Sequence, residues 1–387
     1  MSHTDQIPLA RPSLGEREEE LVLDVLRSGR LSLGPMLERF EHEFAAWLGV
    51  EDAVAVSSGT AGLHLAVRGQ GWGDGDEVIT SPFSFIASAN CLLYEGATPV
   101  FCDIDPVTLN LDPEAAEAAA GERTAGILPV DILGYPAAMP RFERIAADRG
   151  LGLVEDSCEA LGAVDSDGVK VGARGVTATF AFYANKQLAT GEGGIVVPAD
   201  GKAAEDLRSE RNQGRAPNMD WVDHDRIGFN YRLTDVQAAI GVAQLERAGE
   251  LLAERERVAG LYSERLAQSG AAPAGDGDPA GMVLPCSDRG SERRSWFIYA
   301  IQVPSGADRD AVVADLAQRD IQAKAYMPSL HLLKPYAERF GYRPGQFPVA
   351  EEASSRLLAL PFFPGMAEAQ VERCCEALEE ALQGSWV

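Results

Sequence analysis

The 387-residue chain has few lysines, and its cysteines and histidines lack the spacing of common metal sites. Its six cysteines include no C-x-x-C pair, and several stand in apolar runs, which favours buried free thiols over disulfides or a zinc site. The five histidines show no metal-ligand spacing either. We therefore expect no metal ion in this protein.

Basic clusters and long apolar stretches are also missing from the sequence. The formal net charge is -25 at pH 7 and no run is rich in lysine and arginine, which argues against a nucleic-acid-binding surface. No apolar run approaches the roughly 20 residues that span a bilayer, and the polar start MSHTDQIPLA lacks the features of a signal peptide. The sequence therefore predicts a soluble, cytoplasmic protein whose partners are neither nucleic acids nor membranes.

From Asp52 onward, strand-like and helix-like segments alternate. Short apolar runs predict strands at residues 53–56, 77–80, 98–103, 126–130, 151–155, 177–182 and 194–197. Continuously apolar strands are typical of a sheet that is covered on both faces. The alternation predicts an α/β fold with a mostly parallel sheet, whose ligands gather at the carboxyl ends of the strands.

Other elements are predicted on either side of this alternation. Apolar residues at helical spacing predict helices over residues 15–28 and from about Pro35 onward. One long helix is predicted over residues 234–257, with Thr234 near its start. Strands are predicted over residues 297–303 and 321–326.

Lys186 lies between two of the predicted strands, in a polar turn that precedes the glycine-rich residues 191–194. The chain has only five lysines, so lysine is not its ordinary surface cation. Burial between two apolar runs would lower the pKa of the amine and favour a neutral nucleophile. A lysine that reaches water from a strand end is the alternative.

The first predicted strand ends in a turn of small residues that leads into a helix. Ser58, Gly59, Thr60 and Ala61 form this turn. Because the free N–H groups of a helix N-terminus attract negative charge, the turn is a candidate phosphate site. An ordinary helix N-cap is the alternative.

Two more strand ends carry candidate ligand-binding side chains. Phe85 follows the second strand, where its ring could stack on a planar ligand or belong to the core. Glu155 and Asp156 lie at the end of the fifth strand and point to opposite faces, so one carboxylate can face a ligand while the other caps or pairs elsewhere. A phosphate site, a ring, a carboxylate and an amine on successive strand ends are the requirements of pyridoxal 5'-phosphate (PLP).

Five sequence blocks resemble, almost segment by segment, the DegT/StrS family of PLP-dependent nucleotide-sugar aminotransferases. They are SSGTAGLHL, SPFSFIASAN, EDSCEALGA, FYANKQLATGEGGIVV and GFNYRLTDVQAAIG. The resemblance extends from about Ile7 to Pro364. It implies the aspartate-aminotransferase-like fold (fold type I), with a large domain on a mostly parallel seven-stranded sheet and a smaller C-terminal α/β domain. We place these domains at residues 1–245 and 246–387.

The same resemblance implies roles for individual residues. Lys186 is expected to bind PLP covalently and to act as the general acid and base. Asp156 is expected to pair with the pyridine nitrogen, Phe85 to stack on the ring, and the turn of residues 58–61 to bind the phosphate. Asn230 matches an asparagine that reaches the phosphate of the neighbouring subunit's cofactor, which implies a homodimer with shared active sites.

Three positions depart from the commonest pattern of that family. Glu159, an expected cofactor contact, stands where a glutamine or histidine is usual. Ala181 replaces a frequent serine that helps to bind the phosphate, and Asp131 replaces a frequent histidine. None of these changes removes the chemistry.

Substrate contacts are expected from three further residues. Arg211 and Arg232 are candidates for binding the carboxylate of glutamate or a nucleotide phosphate through bidentate pairs. His331 matches a position near the substrate entrance of the family, with a surface histidine on a loop as the alternative.

The sequence as a whole predicts a PLP-dependent aminotransferase that moves an amino group to a nucleotide-linked keto-deoxy sugar, with L-glutamate as the donor by family resemblance. A keto-cyclitol substrate is an alternative, because the cofactor blocks would look the same. A catalytically silent regulatory or binding homologue is another, whose hallmark would be loss of Lys186 or Asp156. A sugar 3-dehydrase would carry histidine in place of Lys186, which argues against that activity.

Overall fold

Two β-sheets organise the chain in a computed structural model that describes residues 6–216 and 223–384. The strands of the first sheet are β1 (Val54–Val56), β2 (Glu77–Thr80), β3 (Thr98–Phe101), β4 (Thr124–Leu128), β5 (Gly152–Asp156), β6 (Thr177–Ala181) and β7 (Gly194–Val197). Their spatial order is β1-β7-β6-β5-β4-β2-β3. Only β7 runs antiparallel to its neighbours in this sheet. The predicted seven-stranded, mostly parallel sheet is confirmed.

The second sheet is built from the C-terminal part of the chain. Its strands are β8 (Ala272–Pro273), β9 (Val283–Leu284), β10 (Tyr299–Gln302), β11 (Lys324–Ala325) and β12 (Leu357–Leu360), in the order β11-β12-β10-β9-β8. Only β8 and β9 pair in parallel. The strand predicted over residues 321–326 is therefore shorter than expected, because only two of its residues pair with β12.

Thirteen α-helices surround the sheets in the described residues. They are α1 (Glu16–Ser28), α2 (Pro35–Leu48), α3 (Gly59–Gly69), α4 (Ala87–Tyr94), α5 (Pro113–Ala119), α6 (Met139–Arg149), α7 (Gly201–Glu210), α8 (Asp235–Glu246), α9 (Ala248–Ala267), α10 (Arg309–Gln318), α11 (Lys334–Phe340), α12 (Pro348–Arg356) and α13 (Glu368–Gln383). No helix in these ranges is both long enough and apolar enough to cross a bilayer.

The single helix predicted over residues 234–257 is in fact two helices, α8 and α9. Thr234 caps α8 as expected, since its hydroxyl accepts the N–H of Gln237 at 3.2 Å. Arg247 breaks the helix with φ -117° and ψ 19°, outside the helical region. The break lets α9 run from the core of the first sheet, which includes Leu251, to the core of the second, which includes Val258.

Apolar residues cover the first sheet on both faces, which explains why its strands read as unbroken apolar runs. The N-terminal segment packs elsewhere. Ile7 pairs with Ile321 and belongs to the core of the second sheet, although it is far from that sheet in sequence. The division into residues 1–245 and 246–387 stays a prediction.

Candidate active site

A cavity of about 450 Å³ lies at the carboxyl ends of the parallel strands of the first sheet. Its walls come from the segments that follow β1, β2, β4, β5 and β6, and from Phe297, Tyr326 and Met327 near the second sheet. Strand ends of one sheet and side chains of the other therefore meet around a single space, as is usual for ligand sites in α/β proteins.

Lys186 lines this cavity from the turn between β6 and β7. Its side chain is only 12% exposed, so it does not extend into solvent. Its Nζ atom lies 3.5 Å from Oε1 of Glu159 and 3.9 Å from the centroid of the Phe297 ring. All five lysines are described, and Lys186 is the only one that lines the cavity.

Asp156, the last residue of β5, also lines the cavity and is 2% exposed. Its Oδ2 accepts a hydrogen bond from Ser88 Oγ at 2.7 Å, and its Oδ1 accepts the N–H of Cys158 at 3.2 Å. Neither partner is charged, so a buried carboxylate here would be stabilised by a cationic ligand group. Glu155 turns to the other face, as expected, where it accepts the N–H of Gly172 at 3.0 Å.

The N-terminus of α3 forms another wall of the cavity. Gly59 and Thr60 line it, and their N–H groups, in the first turn, have no partner within the helix. A Cβ atom on Gly59 would lie 2.7 Å from Cβ of Ala181, so only glycine allows α3 to approach β6 this closely. These two N–H groups and the hydroxyl of Thr60 make the wall suitable for an anion.

Ala61 differs from its neighbours in this turn. Its N–H already donates to Oγ of Ser58, the N-cap of α3, at 3.1 Å. Ala61 is buried and does not line the cavity, whereas Ser58 does. The N–H of Ala61 is therefore engaged by the cap, and its expected contact with a phosphate stays a prediction.

Aromatic side chains stand at the rim of the cavity. Phe85 is 61% exposed, which excludes the alternative that it belongs to the core, and Tyr183 is similarly exposed. Neither Tyr183 nor the cavity residues Phe297 and Tyr326 stood out in the sequence. The last two come from segments more than a hundred residues away from Lys186, so no local pattern links them to it.

Glu159 is buried beside Lys186 and lines the same cavity. Its Oε2 accepts the N–H of Leu133 at 2.9 Å, and its Oε1 faces the lysine amine. Burial raises the pKa of the Glu159 carboxyl, although the Lys186 ammonium and the Leu133 N–H act in the opposite direction. The Leu133 N–H thus holds the carboxyl in place, and its Oε1 can accept a hydrogen bond from the amine.

Asp131, one of the unusual positions, is completely buried outside the cavity lining. Its Oδ1 accepts the N–H of Ala137 at 2.7 Å. Burial raises the pKa of this carboxyl to about 7.

The two arginines expected to bind substrate lie outside the cavity lining. Arg211 is buried in a salt bridge with Glu41 and also donates to the carbonyl of Ala55. Arg232 donates to Oδ1 of Asn212 at 3.0 Å. Protein groups therefore occupy the guanidinium of Arg211, and Arg232 is not among the cavity-lining residues. Substrate binding by either arginine stays a prediction.

His331 and Asn230 also lie away from the cavity lining. His331 is 0% exposed, its Nε2 is 3.1 Å from Oε1 of Glu351, and its ring packs on Phe347, so it is neither a surface residue nor a cavity residue. Asn230 is exposed, which leaves its side chain available to another subunit.

The cavity fits PLP in the chemistry of its donors. It offers an amine at Lys186, a buried carboxylate without a cationic partner at Asp156, free N–H groups at Gly59 and Thr60, and an exposed ring at Phe85. These groups suit an aldehyde, a protonated ring nitrogen, a phosphate and a planar ring, respectively.

Comparison with known proteins gives matches along nearly the whole chain. The model of the DegT/DnrJ/EryC1/StrS aminotransferase family matches residues 12–379. GDP-perosamine synthase of Caulobacter vibrioides is 37% identical over 385 residues, which are 99% of this chain and 100% of that protein.

Solved structures agree with this match. DesV of S. venezuelae, in complex with a ketimine intermediate, is 34% identical with a TM-score of 0.85 and covers 94% of this chain and 93% of its own. 3-Amino-5-hydroxybenzoic acid synthase is 30% identical with a TM-score of 0.88 and covers 98% of this chain and 100% of its own. Both sheets and the cavity between them fall within these matches.

Proposed function

The chain belongs to the DegT/DnrJ/EryC1/StrS aminotransferase family, and we propose that it transfers an amino group from L-glutamate to a nucleotide-linked keto-deoxy sugar. As a member of this family it is a PLP-dependent aminotransferase with the aspartate-aminotransferase-like fold. The observation that carries the proposal is that Lys186 shares one cavity with the Asp156 carboxylate, whose described hydrogen-bond partners, Ser88 and Cys158, are uncharged. Full-length similarity to GDP-perosamine synthase supports a nucleotide-linked sugar as the acceptor.

Lys186 and Asp156 have distinct roles in this proposal. PLP supplies a reactive aldehyde and an electron-withdrawing ring when it is bound. Lys186 would hold the cofactor through Nζ. Once a substrate amine replaces it there, the freed Nζ can move a proton to and from the substrate carbon that bears nitrogen. Asp156 provides the negative charge that keeps a ring nitrogen protonated at its wall of the cavity.

Glu159 is the proton partner of Lys186 in the same proposal. Its Oε1 faces Nζ at 3.5 Å, and the raised pKa of its carboxyl brings its proton affinity closer to that of an amine. A buried carboxyl in this position can accept a hydrogen bond from the amine.

A second copy of the chain would complete the site. The rings of Phe85 and Tyr183 are more than half exposed at the rim of the cavity, and Asn230 is exposed without lining it. A partner subunit that covers this rim would bury the rings and could place its own Asn230 near the phosphate. We therefore include a homodimer with shared active sites, and a cytoplasmic location, in the proposal.

A cyclic ketone that is not a sugar is the second candidate acceptor. 3-Amino-5-hydroxybenzoic acid synthase matches essentially the whole chain, and its name specifies an aromatic amine. The same cavity residues therefore do not by themselves select a sugar, and a keto-cyclitol remains the alternative substrate class.

A panel of acceptors tests the choice between these two. The purified enzyme, loaded with PLP and supplied with L-glutamate, would be mixed with nucleotide-linked keto sugars or with keto-inositols, and 2-oxoglutarate and the amine product would be measured. We expect turnover with at least one nucleotide-linked keto sugar. Turnover confined to keto-inositols would overturn the sugar assignment.

A further inference from the structure

Arg255, on α9, is 3% exposed, and its hydrogen bonds within the described residues all go to backbone carbonyl oxygens, while its guanidinium lies 5.6 Å from the centroid of the Phe362 ring. Its Nη2 donates to the carbonyls of Lys186 at 2.8 Å and Asn185 at 3.4 Å. Its Nη1 donates to those of Phe297 at 3.0 Å and Trp296 at 3.4 Å. One guanidinium thus joins the turn that carries Lys186 to the segment that enters β10.

This arginine differs from the other buried arginines of the described ranges. Arg211 pairs with Glu41 and Arg356 pairs with Glu352, so each has a carboxylate close by. Arg255 has none, and burial lowers its pKa to about 10. Because burying a charge without a counterion is unfavourable, a side chain that only filled space here would be apolar.

The two segments that Arg255 joins both deliver a side chain to the cavity. Lys186 and Phe297 line it together, with Nζ 3.9 Å from the centre of the Phe297 ring. Their carbonyls are fixed by the same guanidinium, whose donors form a rigid planar fork. The position of the amine relative to the ring therefore depends on Arg255.

We propose that Arg255 is a positioning residue for Lys186, which holds the lysine turn against the Phe297 segment and so sets where the amine points in the cavity. The inference rests on the proposed role of Lys186. Arg255 touches neither substrate nor cofactor in this account. It acts only through the backbone carbonyls of the two segments that it joins. Loss of the guanidinium would let the turn and the ring move apart.

The first test measures the amine directly in the protein without cofactor. The protein would be treated with a limiting amount of an amine-reactive reagent. The labelling rate of Lys186 would be divided by the labelling rate of Lys334, which is exposed in the same molecule. We expect Arg255→Met to raise this ratio about tenfold or more, because the amine is no longer held over the ring. Arg255→Lys keeps the charge with fewer donors and should lie between wild type and Arg255→Met.

The second test uses the enzyme loaded with PLP. Arg255→Met should lower kcat about a hundredfold and change KM much less, since misplacement of a catalytic group mainly affects the reacting step. Arg356→Met is the matched control, because it removes a buried arginine that binds carbonyls outside the cavity. It should leave the Lys186 labelling ratio unchanged.

Labelling separates this inference from the proposed function, because it needs no substrate. A wild-type enzyme that fails to turn over any acceptor would refute the proposed function while the labelling ratios still report on Arg255. If Arg255→Met is folded and labels at the wild-type ratio, so that its only defect is a loss of thermal stability, the positioning role is refuted. Arg255→Lys provides the same comparison if the methionine variant does not fold.

Discussion

Nζ of Lys186 lies 3.5 Å from Oε1 of Glu159 inside a cavity that both side chains line. The carboxyl is fixed by the N–H of Leu133, so the pair is held together from the side of Glu159. Resemblance to the family indicated a glutamine or histidine as the usual residue at this position. A carboxyl instead adds a group that can bind the proton of the amine.

Glu159→Gln tests the importance of the Glu159 carboxyl as a proton-binding group. Glutamine keeps the shape and can still accept the N–H of Leu133, so we expect kcat to fall by no more than about tenfold. Because burial raises the pKa of Glu159, its ionisation should contribute to the acidic side of the pH profile of kcat/KM. That contribution should vanish in the variant, and an unchanged pH profile would contradict the proton-sharing role.

Lys186→Ala should reduce kcat by about 10⁴-fold or more, because it removes both the cofactor linkage and the proton carrier. Amino transfer from glutamate would be measured under single-turnover conditions. Lys202→Ala is the matched control, since Lys202 is exposed and forms a surface ion pair with Asp206. Comparable loss in both variants, or activity retained in Lys186→Ala, would refute the assignment of Lys186.

Asp156→Asn and Glu155→Gln form a matched pair of neighbours on opposite faces of β5. Removing the charge of Asp156 should lower kcat about a hundredfold or more and weaken cofactor retention during dialysis, because the ring nitrogen loses its counter-charge. Burial raises the pKa of Glu155 well above its usual value, so a neutral glutamine resembles the native side chain. Equal effects of the two changes would contradict the role given to Asp156.

Asp131→Asn should make the free energy of unfolding depend less on pH. In the folded protein burial raises the pKa of Asp131 from 3.8 to about 7, so its contribution to stability is present below pH 3.8 and is lost as the pH rises through about 7. The unfolding free energy of the wild type should therefore decrease relative to the variant across this window, by on the order of 1 kcal/mol per pH unit. Urea denaturation at several pH values would measure the difference, and parallel curves would contradict the buried, protonated state.

Much of the fold was predictable because strand burial leaves a direct pattern in the sequence. β2 and β7 have the predicted bounds, and the strand that carries Asp156 is shifted by one residue. The break at Arg247 was missed because the helical apolar pattern continues across it, although only α9 extends from the core of the first sheet to that of the second.

The candidate site was predictable only where its residues follow strands. Lys186, Asp156 and Phe85 all follow or end predicted strands, and the structure brings them to one cavity. Phe297 reaches the cavity from the other sheet, which no local pattern reveals. Arg211, predicted to bind substrate, lies in a salt bridge with Glu41 outside the cavity lining. A buried structural arginine and a substrate-binding arginine look the same in sequence.

The most direct test of the account asks which lysine carries the cofactor. The PLP-loaded enzyme would be reduced with borohydride and digested, and the peptide that bears the pyridoxyl group would be identified by mass spectrometry. We predict that the group is found on Lys186 alone, the one lysine that lines the cavity. The account would be contradicted if the group were found instead on Lys170, Lys202, Lys324 or Lys334.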